Sequence, residues 1–240
     1  MPALRLDRIL ASSGTYTRSE SASLIRSGRV TVGGKVALSG AAKFDPETEC
    51  IQVDGDPVIY KTYRYFMLNK PKGFLTATVD SNDRTVIDLL DKSHSRLGLF
   101  PVGRLDKDVA GLLLLTNDGG LAHKIASPAS SIDKMYHAKT GTDVTKADIE
   151  AFAEGLVLND GTKCLPARLR PIPGGAYITL REGKYHQVKR MMAAIGKPVR
   201  DLVRVSIGGL VLGEDLGPGE YREIGSEELC LIFNDPETKK

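Results

Sequence analysis

Between Gly103 and Gly119 the chain reads Gly-Arg-Leu-Asp, a short spacer Lys107-Asp108-Val109-Ala110, and then Gly-Leu-Leu-Leu-Leu-Thr-Asn-Asp-Gly. This string constrains the fold most, because it sets an acidic residue, Asp106, on a short loop between two apolar segments. Rigid strands on either side would hold Asp106 while the loop leaves it reachable, which is where a reactive carboxylate is usually displayed. Arg104 adds a cation able to pair with a carboxylate or a phosphate. Taken alone, an Asp ahead of a turn is more often a cap or turn acceptor than a catalyst. The leucine run Leu112 to Leu115 is far too short to span a bilayer.

Upstream, Thr17-Arg18-Ser19-Glu20 reads as a capping box opening a helix that carries Ala22 and Ile25 inward and stops at Gly28, after a first helix over about Arg5 to Ser13. Val30-Thr31-Val32, Gly33-Gly34 and Lys35 to Leu38 form a hairpin signal, two β-prone runs joined by a glycine turn. From Tyr63 the pattern changes. Strand-like runs at Tyr65–Leu68, Gly111–Thr116, Tyr136–Thr140, Ala176–Leu180 and Leu202–Ile207 alternate with helical stretches at Val86–Leu90, Leu121–Ala126, Thr145–Glu154 and Tyr185–Ile195. The expected fold class is α+β: a small domain over residues 1–60, a larger mainly antiparallel-sheet domain over 63–233, and a loose polar tail over 234–240.

At 240 residues, 41% hydrophobic and 26% charged, the chain has an ordinary globular composition. Arg5, Asp7 and Arg8 interrupt the amino terminus, so no signal-peptide core forms and a cytoplasmic protein is expected. Cys50, Cys164 and Cys230 are far apart and odd in number, which suits reduced thiols. His94, His123, His137 and His186 lack the close spacing of zinc-ligand pairs and read as surface or hydrogen-bonded residues, so no metal is expected. Charge is unevenly placed. Residues 1–43 hold seven Lys and Arg against Asp7 and Glu20, residues 181–204 hold seven against Glu182 and Asp201, and the end of the chain from Gly213 is acidic. Local basic patches gather polyanions, so nucleic acid is a reasonable partner, although a solvated helix face reads the same way.

Arg5 to Gly34 resembles the S4 RNA-binding domain, with Thr17 and Glu20 as variations on its pattern. The resemblance places Arg5, Arg8, Arg18, Arg26 and Arg29 against RNA phosphates, where they position the RNA without reading bases. Four further segments, in order, resemble pseudouridine synthases of the branch acting on ribosomal RNA: Leu68 to Gly73, the Asp106 loop, Asp133-Lys134-Met135-Tyr136, and Glu182 to Met192. That resemblance implies isomerisation of a specific uridine to pseudouridine, without metal or redox cofactor. It makes Asp106 the catalytic carboxylate, attacking sugar or base or taking a ribose proton. Lys189 becomes the cation holding Asp106 ionised, with Arg190 the adjacent alternative. Tyr136, the third catalytic residue, stacks on the uracil and receives or relays its C5 proton, Arg104 fills the place of the extruded nucleotide, Leu202 floors the base, and Arg190 and Lys184 contact RNA.

The string Lys184-Tyr185-His186-Gln187 is closer to the members that modify 16S rRNA, the large-subunit members tending to carry Asn-Arg in place of Tyr-His. The implied partner is therefore ribosomal RNA within an assembling small subunit, met by a monomer with no membrane association. Val109 stands where the family has Thr or Ser, Met135 where Thr precedes the tyrosine, and Ala138 where a larger β-branched residue is common. Loss of a hydroxyl near the loop puts its hydrogen bonding in doubt. The alternatives are a large-subunit 23S rRNA synthase and a non-catalytic RNA-binding ribosome-assembly protein. An S4-containing tRNA synthetase would need ATP-binding signatures, and the glycines near Gly208-Gly209 lack them.

Overall fold

The computed structural model describes residues 3–127 and 130–234, so apart from Asn234 the expected polar tail lies outside the described residues. The chain divides into two compact units: the residues up to Arg64 together with Leu90–Leu99, and Tyr65–Leu89 with the chain from Phe100 onward. One stretch of the expected 63–233 domain, Leu90–Leu99, thus clusters with the first unit.

In the first unit, β1 (Leu4–Arg5) leads into α1 (Leu6–Ser12) and α2 (Arg18–Arg26). The strands β2 (Val30–Val32), β3 (Lys35–Val36), β4 (Lys43–Phe44), β5 (Ile51–Val53) and β6 (Asp56–Pro57) follow, with α3 (Lys92–Ser95) from the later stretch. The capping box of α2 is formed, Glu20 N–H donating to Thr17 Oγ1 at 3.1 Å and Thr17 N–H to Glu20 Oε2 at 2.6 Å. Its buried residues are Ser21, Leu24 and Ile25, while Ala22 is only half-buried. A serine tolerates that place because its hydroxyl donates to the Thr17 carbonyl at 2.8 Å, which satisfies it within the helix. Gly33 and Gly34 turn β2 into β3 with φ of +56° and +78°, the positive pair a tight twisted hairpin requires. Leu6, Ile9, Leu10, Leu24, Ile25 and Val30 lie at the centre of this unit's core.

The second unit contains β7 (Tyr65–Lys70), a 3-10 turn (Val86–Leu89), β8 (Phe100–Val102), β9 (Ala110–Thr116), α4 (Gly119–Ala126) and β10 (Lys134–Lys139). It continues with α5 (Lys146–Glu154), β11 (Arg168–Ile172), β12 (Gly175–Leu180), α6 (Gln187–Ala194), β13 (Asp201–Ile207), β14 (Leu210–Val211), β15 (Tyr221–Glu223) and α7 (Ser226–Leu231). The sheet order is β11-β12-β10-β13-β9-β7-β15, with β8 on β9 and β14 on β13. Its pairings are antiparallel except one: β13 runs parallel to β9, with Arg204 opposite Gly111.

That parallel junction explains Gly111. Its φ is +107°, and a β-carbon there would collide with the Arg204 backbone carbonyl, so the leucine run can lie against β13 only if a glycine opens it. Leu112 to Leu115 are all buried, as a strand covered on both faces demands. Among the described residues no helix is long and apolar enough to cross a membrane.

Candidate active site

The loop from Gly103 to Val109 joins β8 to β9 and carries Asp106 to the wall of a cleft of about 650 Å³. Backbone and buried side chains hold it. Val109 N–H donates to the Asp106 carbonyl at 3.1 Å, and Gly73 N–H to the Lys107 carbonyl at 2.7 Å. Thr76 Oγ1 donates to the Leu105 carbonyl at 2.6 Å and accepts from Leu105 N–H at 3.2 Å. Lys70, fully buried at the end of β7, donates to the carbonyls of Asp106 (3.1 Å), Val109 (2.9 Å) and Pro71 (3.2 Å). Three carbonyls match the three donors of an ammonium group. Burial pushes Lys70 down to about 8, because removing the cation from water disfavours its charged form. The hydroxyl missing at Val109 leaves this scaffold intact: Val109 bonds through its backbone, and Thr76 supplies a hydroxyl from another segment.

Asp106 itself is partly open, its side chain 32% exposed. Lys189, on the first turn of α6, places Nζ 3.2 Å from Asp106 Oδ2 and 2.6 Å from Asp108 Oδ1, so one ammonium bridges two carboxylates. Desolvation works against the charge on Lys189, but hydrogen bonds from it to Asp108 and Asp106 prevail and raise its pKa. The same Lys189 contact holds the Asp108 carboxyl below the usual range. His186 Nε2 lies 3.6 Å from the other Asp106 oxygen. His186 is the residue ahead of α6, in the left-handed region at φ 49°, which is why the helix begins at Gln187 and not at Tyr185.

Tyr136, Leu202 and Arg104 also line the cleft. Tyr136 stands on β10 just past an irregularity, where the pairing with β13 jumps between Met135 and Tyr136. Such a bulge re-aims the following side chain, and it places the Met135 departure at the irregular step. Leu202 is 5% exposed. Arg104 is exposed and, among the described residues, holds no salt bridge. Ala138, fully buried, does not itself line the cleft but sits opposite Leu202, which does.

Other expected contacts are occupied. Arg190 does not line the cleft: it pairs with Asp160 at 2.5 Å and donates to the Tyr185 carbonyl at 3.2 Å. The neighbour of Asp106 is therefore Lys189, one residue earlier, because adjacent helix positions point about 100° apart. Lys184 borders the cleft but pairs with Glu182 and donates to the Lys163 carbonyl at 2.8 Å. In the first unit, Arg5 pairs with Asp7 at 2.6 Å and Arg29 grips Asp54 through Nε at 2.9 and 3.0 Å. Arg8, Arg18 and Arg26 are exposed and, among the described residues, hold no salt bridge.

Lys70, Thr76, Asp108 and His186 are the site residues that sequence reasoning passed over. Three of them stood in or beside the quoted motifs, whereas Thr76 had no signal at all. Among the described residues no group of three or more His, Cys, Asp or Glu side chains is placed to hold a metal ion.

Comparison with known proteins adds to this geometry. The family described as RNA pseudouridylate synthase matches residues 64–194, and the S4 domain matches residues 4–50. The chain is 43% identical over 239 residues to the Bacillus subtilis protein named uncharacterized RNA pseudouridine synthase YtzG, covering 98% of this chain and 100% of that one. It is 40% identical over 232 residues to the ribosomal small subunit pseudouridine synthase A of Escherichia coli K12, covering 95% and 100%. A crystal structure titled pseudouridylate synthase superposes with a TM-score of 0.67 at 35% identity, covering 95% of this chain and 99% of that one.

Proposed function

Because the chain belongs to the RNA pseudouridylate synthase family, we propose that it isomerises one uridine of 16S ribosomal RNA, with Asp106 as the reactive carboxylate. The enzyme is an isomerase of RNA, and the small-subunit target follows the name carried by relatives about 40% identical over nearly their whole length. The observation that carries the catalytic reading is the Asp106–Lys189 contact of 3.2 Å at the wall of a cleft large enough for an extruded nucleoside.

The reaction breaks the bond between uracil N1 and ribose C1′, turns the base, forms the bond from C5 to C1′, and moves a proton from C5 to N1. Product and substrate have the same atoms and the same oxidation level, so no external oxidant, reductant or group donor enters the balance. Asp106 supplies the reactive carboxylate, and Lys189 places its ammonium 3.2 Å from it. Tyr136 packs against the base, Leu202 closes the cleft beneath it, and the exposed Arg104 takes the space left in the RNA stack. Arg8, Arg18 and Arg26 of the first unit, the S4 domain over residues 1–60, lie on phosphates of a neighbouring RNA helix. The enzyme works as a cytoplasmic monomer, without a cofactor, on the assembling small subunit.

Mapping pseudouridines in ribosomal RNA with and without the gene tests the reading. A single site lost from 16S rRNA is the expected result. Loss from 23S rRNA instead overturns the target, and an unchanged map overturns the activity.

A further inference from the structure

We propose that Tyr185 and His186 form a stacking platform for the nucleobase adjacent to the isomerised uridine, an RNA contact that rests on the reading above. Tyr185 is 75% exposed at the cleft although it is a large aromatic. Its ring lies on that of His186 with centroids 3.8 Å apart and planes 19° from parallel. This separation is close to the ~3.4 Å rise of stacked bases, so the two rings already have the spacing of a short nucleic-acid stack. His186 ends that stack beside Asp106, at 3.6 Å from its carboxylate. The outer face of Tyr185 is left to solvent.

The turn that carries the two rings is braced. His186 occupies the left-handed region at φ 49°, a conformation that costs a non-glycine residue energy and persists only where its surroundings impose it. Arg190 Nη1 donates to the Tyr185 carbonyl at 3.2 Å, and Lys184 N–H to Gln187 Oε1 at 2.9 Å. Buried Gln187 in turn donates to Glu182 Oε1 at 2.5 Å, the same oxygen that accepts Leu165 N–H at 2.9 Å. Arg190 thus braces the turn, the Lys184 ammonium is taken up by Glu182 and the Lys163 carbonyl, and what the turn presents outward is a flat aromatic face.

A flat face suits one ligand class here. Extruding the uridine breaks the stack on both of its sides, and where Arg104 covers one flanking base, the other finds its most favourable partner on an aromatic ring, without regard to sequence. Tyr185 offers that ring one layer out from the residue that touches the catalytic carboxylate.

Tritium-release assays on separate 16S and 23S transcripts first establish which RNA the full-length enzyme converts, which judges the target independently of the platform. On the converted RNA, shortened around its uridine, Tyr185→Ala is expected to raise KM roughly tenfold or more, the effect falling on KM more than on kcat, while Tyr185→Phe keeps the wild-type KM. Fragments abasic on the 5′ or the 3′ side of the target complete the cycle: one of the two should weaken the wild type and leave Tyr185→Ala no weaker than it already is. The proposal is overturned if Tyr185→Ala keeps the wild-type KM, or if both abasic fragments weaken the two enzymes equally. Circular dichroism of Tyr185→Ala separates a missing stacking face from a failure to fold.

Discussion

Residues 1–43 and 181–204 each carry seven basic side chains against two acidic ones, yet the two segments use that charge in opposite ways. In the first, Arg8, Arg18 and Arg26 stand exposed, and the ion pairs of Arg5 and Arg29 lie on the surface. In the second, Arg181 pairs with Asp133, Arg190 with Asp160, Lys184 with Glu182, and Lys189 with Asp106 and Asp108. Arg204 is buried and donates to the Leu112 carbonyl at 2.8 Å. One basic segment is a field that water and counterions can reach; the other is a frame of ion pairs and hydrogen bonds, one of which, from Lys189, holds the Asp106 carboxylate. Equal composition therefore predicts unequal consequences of mutation: weaker affinity and a flatter salt dependence in the first, slower turnover in the second.

The largest effect is expected from Asp106→Asn. This nearly isosteric change should abolish isomerisation while leaving RNA affinity within a few-fold. Retention of more than about a tenth of the wild-type rate, a barrier change under ~1.4 kcal/mol, would remove Asp106 from the chemistry.

Next in size is Lys189→Met. It should reduce single-turnover rate far more than affinity, because Lys189 Nζ stands 3.2 Å from Asp106 Oδ2 and holds that carboxylate in place. Arg190→Met is the control and should leave the single-turnover rate near wild type. A slowed rate from Arg190→Met with only weakened binding from Lys189→Met would assign the frame to the wrong residue.

A smaller effect is expected from replacing Arg8, Arg18 and Arg26 together with Ala. Every phosphate that is no longer neutralised should take roughly 0.7–0.9 from the slope of log affinity against log salt, with the rate at saturating enzyme preserved. An unchanged slope would mean that the exposed arginines do not anchor RNA and that the contrast between the two segments is false.

The smallest expected effect concerns Lys70. Its pKa lies at about 8 when folded, against 10.5 as the ordinary value, so between these pH values the unfolded chain binds more protons and stability rises with pH. Below about pH 8 the buried charge costs stability in full. Urea titrations of wild type and Lys70→Met should show a pH-dependent gap across this window, the wild type gaining relative to the variant as pH climbs. Parallel curves would mean that Lys70 keeps its ordinary affinity for protons.

Much of the fold was legible because it depends on local rules. A capping box at Thr17 and Glu20, a Gly-Gly turn and alternating apolar strands act over a few residues, and each appears where the pattern put it. The short strands β8, β14 and β15 escaped notice, because a two- or three-residue strand is defined by its partner and not by its own periodicity.

For the site the division is similar. Loop chemistry and apolar patterning, which are written along the chain, put Asp106 on a loop ahead of a buried strand, whereas a basic residue near position 189 beside it was implied only by the family resemblance. Only tertiary structure decided that Lys189, and not Arg190, meets Asp106, that Asp108 shares its ammonium, and that Thr76 and Lys70 hold the loop. Those choices depend on helix phase, on one parallel strand pair and on interactions between residues tens of positions apart. Such interactions leave no local pattern, because the energy that selects them exists only once the chain has folded.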